Sequence, residues 1–450
     1  MGRCPKQPNR VLAELVDEAG LTHKGLARRV VERGRGIGHQ LSYDHNSVRR
    51  WLEGEQPRPP GPGLIAAVLS EALGRRTTPS DCGMHADGEQ VDLGLEFPLS
   101  WTEGVDTVTA LWRGDVERRK VLTGISYAVA GYTAASMRWL TLPGPDHPAS
   151  SGRRKVGQSD VEALRSMIGT FRDLDNRVGG GRIRQTVVQY LHSEVSPLLR
   201  GRYTEQIGRS VFAAAAELTK LAGWMAYDEE EHGLAQRYLI QALRLARTAN
   251  DHALGAEVLA AMSHQATYIG RPGDAVDLAR AAQIGARKAG LAALESECHI
   301  VEAHGHAARD DASSCAGSLT AAEKAFERSE ATAPEWLTYF DEAYLSAKFA
   351  HCFRELSDDR RAGYYAERSL NMSDGYRRGR AFNLCLLASA RAAEEPLEAV
   401  RIGDEAISIV EGLSSRRSLS YLRDLRRRLS PHNGLPEVGE FCRRVAALMV

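Results

Sequence analysis

Ala235-Gln236-Arg237-Tyr238-Leu239-Ile240-Gln241-Ala242 returns in outline forty residues later as Ala275-Val276-Asp277-Leu278-Ala279-Arg280-Ala281-Ala282, with small or apolar residues at the first, fifth and eighth places. That spacing is helical, and small residues at fixed places are what two helices need where they cross closely. Gly223 and Ser263 each stand twelve residues ahead of a copy, which puts a small residue on the partner helix as well. Weaker copies fall at Ala312 with Ala316, at Ala362 with Ala366, and at Ala399 with Gly403 and Ala406. A helical pair repeated along a chain buries its apolar face only by stacking on the next pair. Residues 201–450 are therefore expected to form a tetratricopeptide-like helical repeat array, with the acidic run Asp228 to Glu231 as a turn between helices.

Upstream of the array, residues 101–140 and 158–199 read as long helices in a connecting region spanning 101–200. They are separated by the breakers Thr141-Leu142-Pro143-Gly144-Pro145 and Ser150-Ser151-Gly152. Gly179-Gly180-Gly181-Arg182 reads as a helix-breaking loop, or as a phosphate cradle at a helix start. Residues 77–100 carry few periodic apolar positions and are expected to be a linker.

Residues 1–76 have a different grammar. Asn9 is placed to cap a helix carrying Val11, Leu12, Leu15 and Val16, with Gly20 to end it. Thr22 caps a second helix with Leu26, Ala27 and Val30 on one face, and Gly34, Gly36 and Gly38 punctuate an enlarged turn. Asp44 caps a third helix whose Val48, Trp51 and Leu52 face a core. Its outer side, with the residues just before it, offers Ser42, Tyr43, His45, Asn46, Ser47, Arg49 and Arg50. Arginine can pair with guanine and asparagine with adenine, and both grip phosphates, so these seven are the expected DNA-binding residues. Leu64, Ile65, Val68, Leu69 and Leu73 mark a fourth helix ending at Gly74. The whole chain is thus expected to be all-α: an N-terminal helix-turn-helix bundle followed by the repeat array.

Leu26-Ala27, the run Ser47-Val48-Arg49-Arg50-Trp51-Leu52-Glu53-Gly54, and Pro57 resemble the repressor-type helix-turn-helix of the XRE family. Leu73-Gly74-Arg75 and Asp81-Cys82-Gly83 are similar to the leader of large actinobacterial regulators of that family. Leu174-Asp175-Asn176, Ala222-Gly223-Trp224 with Ala226 and Asp228, and Ala242-Leu243 with Leu245-Ala246 resemble their body. The resemblance implies a transcription regulator of development or secondary metabolism.

Charge agrees in sign. Residues 1–80 hold 13 Lys and Arg against 8 Asp and Glu, a surplus of +5 in a chain whose formal charge is zero. Seven scattered cysteines with no C-x-x-C pair read as reduced thiols of a cytoplasmic, nucleoid-associated protein. No apolar run has the length of a membrane span.

Nucleotide-binding, metalloprotease and hydrolase signatures are missing from the sequence, which points away from an enzyme and from any cofactor. Cys298, His299, His304, His306 and Cys315 fit no zinc spacing, so no metal is expected. Counting from the small-residue positions, the inner face of the array should carry Lys220, Trp224, Tyr227, His264, Tyr268, His304 and His351. That lining suits a small-molecule or peptide ligand with apolar and hydrogen-bonding parts. The partners expected are a double-stranded DNA operator, a second copy of the chain in a homodimer, and that ligand. The competing expectation is a protein-interaction adaptor whose head no longer binds DNA.

Overall fold

The computed structural model describes residues 8–36, 41–58, 60–74, 77, 79, 81–84, 93–117, 125–329 and 334–449. Among them the protein is all-α, apart from a two-residue antiparallel pairing of β1 (Ser150–Ser151) with β2 (Arg202–Tyr203). It divides into two compact units, residues 1–93 and 94–450.

The first unit holds α1 (Arg10–Glu18), α2 (His23–Gly36), α3 (His45–Leu52) and α4 (Gly61–Leu73). Each start has the cap its sequence offers. Asn9 Oδ1 accepts from Leu12 N at 3.0 Å, Thr22 Oγ1 from Gly25 N at 3.0 Å, and Asp44 Oδ1 from Ser47 N at 2.8 Å. Gly74, in the left-handed conformation, ends α4. Leu12, Leu26, Val30, Val48, Ile65 and Leu69 are fully buried together, and Cys82 and Met84 pack into the same core, beyond the expected boundary at 76. Gly34 and Gly36 belong to α2 rather than to the turn. A Cβ at Gly34 would lie 2.6 Å from Leu41 Cδ1, so that glycine makes room for the returning chain. Gly38 lies outside the described residues.

The second unit begins with α5 (Trp101–Glu117), α6 (Gly131–Thr141), α7 (Gln158–Val178) and α8 (Gly180–Tyr190); a π turn, Leu191–Val195, leads on to the short α9 (Ser196–Leu199). The two long helices expected here are each divided. Residues 125–130 are non-helical, and Gly179 at φ +86° separates α7 from α8. Residues 94–98, expected in a linker, pack on the body: Gln241 Nε2 donates to Gly94 O at 2.8 Å and Arg244 Nε to Pro98 O at 2.8 Å.

Five helical pairs follow among the described residues: α10 (Glu205–Asp228) with α11 (His232–Ala249), α12 (His252–Tyr268) with α13 (Pro272–Ala289), α14 (Ala292–Ala307) with α15 (Ala312–Glu327), α16 (Glu342–Glu355) with α17 (Asp359–Ser369), and α18 (Arg377–Arg391) with α19 (Pro396–Val410). The end is α20 (Arg416–Leu429) and α21 (Pro436–Ala447). Small residues sit at the crossings. A Cβ at Gly223 would lie 2.9 Å from Tyr238 Cβ, and Ser263 Oγ donates to Ala275 O at 2.8 Å. Ala362, Ala366, Ala399 and Ala406 are buried as the spacing requires. In the third pair the expected register is wrong: Ala312 and Ala316 are exposed, and Cys315, Ser318, Leu319 and Ala322 face inward. Ser296 Oγ donates to Ala322 O at 2.8 Å, so the crossing is set by Ala322 and not by the earlier alanines.

The array is closed rather than open. Helix α7 packs against both α10 and α18, the first and the fifth pair. Arg378 of α18 donates to both oxygens of Asp175, at 2.9 and 2.7 Å, and to Asp228 Oδ2 at 3.2 Å. Beside this, Ser414 N donates to Val178 O at 2.9 Å and Gly181 N to Ser414 O at 3.2 Å. The glycine run is explained by this seam. A Cβ would lie 2.4 Å from Ser414 O at Gly179 and 2.8 Å from Met225 Cα at Gly180, which leaves no room there for a phosphate. Asp228, expected in the turn between helices, ends α10 fully buried between Arg378 and Arg417.

Candidate functional site

Two places carry chemistry, one in each unit. On α3, Val48 and Trp51 face the core while His45, Asn46, Arg49 and Arg50 are exposed. Asp44 holds the first turn through a reciprocal cap with Ser47, whose N–H and hydroxyl hold its carboxyl below the usual range. Ser47, expected to touch DNA, is therefore buried and occupied by the cap. Tyr43 is half-buried, edge-on to Trp51 with centroids 5.0 Å apart, and its hydroxyl donates to Arg58 O at 3.4 Å. It braces the helix; Ser42 lies exposed beside it. Arg49 lies 3.8 Å from Glu53 and Arg50 4.0 Å from Glu55, both pairs open to solvent.

In the second unit the first helices of successive pairs, with α7 and α20 across from them, surround a cavity of about 250 Å³. The seven residues expected on the inner face come together here. Lys220, Trp224, His264 and His351 line the cavity, and Tyr227, Tyr268 and His304 lie behind it in one string of rings. Trp224 stacks on His264 at 5.5 Å, and His351 meets His304 at 5.5 Å and Tyr421 at 5.8 Å.

The remaining lining was missed, though it had a signal. Glu257 precedes His264 by seven residues, Glu297 precedes His304 by seven and Tyr344 precedes His351 by seven, so each lies on the same helical stripe. Tyr339 comes from the segment before α16, which no periodicity marks.

At one end of the cavity Lys220 pairs with Glu257, and the Tyr339 hydroxyl donates to Glu257 Oε1 at 2.9 Å and lies 2.6 Å from Glu297 Oε1. Burial first, and the neighbouring Glu257 second, raise Glu297 well above the ordinary carboxyl range. Burial would raise Glu257 too, but Lys220 and the hydrogen bonds around it carry it below that range. Of the two carboxyls Glu297 is thus the one that more readily keeps a proton, and Lys220 pairs with Glu257. At the other end Lys348 Nζ lies 2.9 Å from His264 Nδ1, with its pKa brought down to about 8 by burial. Arg417, 3% exposed, lies over the Tyr227 ring at 4.1 Å and near Phe382 at 4.9 Å.

Burial drives His304 down to about 3 from 6.5, and His264 and His351 go down with it. Between those values an unfolded chain binds protons that the folded chain refuses. Stability from these imidazoles is full above about pH 6.5 and is lost as pH falls toward 3. Urea unfolding is therefore expected to show a lower midpoint at pH 5 than at pH 7.5, and a smaller drop in His304→Gln. Equal midpoints at the two pH values would contradict the burial of neutral imidazoles.

His299 and His306 do not join this string; both approach Glu302, at 3.7 and 3.8 Å. Cys298 and Cys315 are buried free thiols, and among the described residues no cluster has the ligands for a metal ion.

Fold and site together define an all-α protein with a small capped-helix unit and a second unit of stacked helical pairs closed around a cavity. Residues 12–85 match the family model described as the SP15 N-terminal domain, a likeness confined to the first unit. Comparison with curated proteins finds no match. No described helix is long and apolar enough to cross a membrane.

Proposed function

We propose that the protein is a DNA-binding transcription regulator, cytoplasmic and nucleoid-associated, of the kind that governs development or secondary metabolism. Its first unit is a repressor-type helix-turn-helix that grips an operator. Its second is a tetratricopeptide-like body that dimerises and holds a ligand in the cavity. The observation that carries this reading is α3: a rigidly capped helix with one face in the core and the other presenting His45, Asn46, Arg49 and Arg50 to solvent. A helix of that build fits the major groove. Ligand binding acts on DNA affinity only by favouring one arrangement of the two heads of a dimer. A second reading, an interaction adaptor, is favoured by Glu53 and Glu55, which lie beside the two arginines and offset their charge.

Capture of genomic fragments by the full-length protein separates the two. A regulator enriches a short palindrome, and Arg49→Ala with Arg50→Ala abolishes the enrichment. Arg49→Ala alone is expected to cost about 1–3 kcal/mol on that site and little on random DNA if it reads a base. Lack of any enriched sequence would sink the regulator reading in favour of the adaptor.

A further inference from the structure

The cavity has an imbalance that the fold leaves open. At its carboxyl end Lys220 pairs with Glu257 and the Tyr339 hydroxyl donates to Glu257 Oε1, while Glu257 Oε2 and Glu297 Oε2 are buried without a hydrogen-bond partner. Arg172 is matched by Glu217, and Arg378 by Asp175 and Asp228. Two cations remain. Lys348 is 5% exposed, and among the described residues its ammonium forms no ion pair with a carboxylate; its hydrogen-bond partner is His264 Nδ1. Arg417 stands 3.9 Å from Asp228, which Arg378 already holds, and its Nε and Nη1 are buried without a hydrogen-bond partner.

The histidine adds a third donor. Because Lys348 donates to His264 Nδ1, the proton of that ring sits on Nε2, which is also buried without a partner. Lys348, His264 and Arg417 all line the same cavity, and all three have donors left over. Buried donors lacking acceptors are costly, and a buried cation without a counter-charge is more so. What relieves all three at once is one anionic group with several acceptor oxygens. Around them Trp224, Leu221, Val301 and Phe382 offer apolar surface.

We propose that the cavity binds a small organic carboxylate, with the anionic end among Lys348, His264 and Arg417 and the apolar body against Trp224 and Phe382. This rests on the reading of the body as a ligand-binding unit and names the class of ligand. An amine is repelled from that end by the two cations.

The test is calorimetric titration of the full-length protein with phenylacetate, phenylpropionate, indole acetate, hexanoate and decanoate, each beside its primary amide. At least one carboxylate is expected to bind about 10- to 100-fold more tightly than its amide. Lys348→Met should erase that difference while leaving amide binding in place. The amide comparison uses unaltered protein, so it stands even if the variant fails to fold. Equal affinity for acid and amide, or no binding across the panel, would overturn the proposal. DNA affinity is measured separately with and without the bound acid. A carboxylate that binds without changing DNA affinity upholds this site and removes the sensing role.

Discussion

Arg378→Met is expected to destabilise the second unit by about 3–5 kcal/mol, the cost of leaving buried charge without its partner. The guanidinium is bidentate to Asp175 and also reaches Asp228, and all three groups are nearly or fully out of water. Removing it strands two carboxylates a short way apart; among the described residues only Arg417 at 3.9 Å and the Ser415 hydroxyl at 3.0 Å are left for Asp228. Burial already raises Asp175 above the ordinary carboxyl range, so in the variant that carboxyl should take up a proton on folding. Denaturant unfolding would then become strongly pH-dependent, easing as pH rises. Adding Asp175→Asn and Asp228→Asn to the variant should recover much of the loss. If Arg378→Met unfolds at the wild-type midpoint, the triad does not hold the ring closed.

Gly179→Ala is expected to cost about 2–6 kcal/mol, for two separate reasons. The backbone there has φ +86° and ψ 157°, a region essentially reserved for glycine, where another residue is strained by about 1–3 kcal/mol. The new methyl would also lie 2.4 Å from Ser414 O, a backbone atom that cannot turn aside, and overpacking of that kind costs typically about 1–3 kcal/mol. Hydrogen exchange should show the damage first at the Ser414 amide, whose acceptor is Val178 O, and at the Gly181 amide, whose acceptor is Ser414 O. Gly144→Ala is a useful control. It too has positive φ, at +66°, but a Cβ there meets nothing within 4 Å, so strain acts without collision and the loss should be smaller.

These two variants test the feature that local sequence patterns could not reveal. Periodicity and capping chemistry are properties of a dozen neighbouring residues, so the all-α class, the caps at Asn9, Thr22 and Asp44, and the inward stripe through Trp224, His264 and His351 are all legible in the sequence. The same local logic failed where a distant chain segment decides. Gly34 looked like a turn because nothing nearby shows Leu41 and Leu64 pressing on it. Ala312 and Ala316 looked like a crossing because alanine is small whether it is buried or exposed. Ser47 had the right position for DNA and the wrong occupation, because a hydroxyl three places after an aspartate is drawn into its cap.

By itself, then, the sequence determined the helices, their pairing with the next helix along, and the aromatic and imidazole character of the surface they line. Tertiary structure decided that this surface is enclosed. Arg378 meets Asp175 across 203 residues and Asp228 across 150, and no spacing rule links positions that far apart. Closure turns an open groove into a cavity, takes its charges out of water, and so makes the matching of each one, and the unused donors at Lys348 and Arg417, a matter of stability and binding.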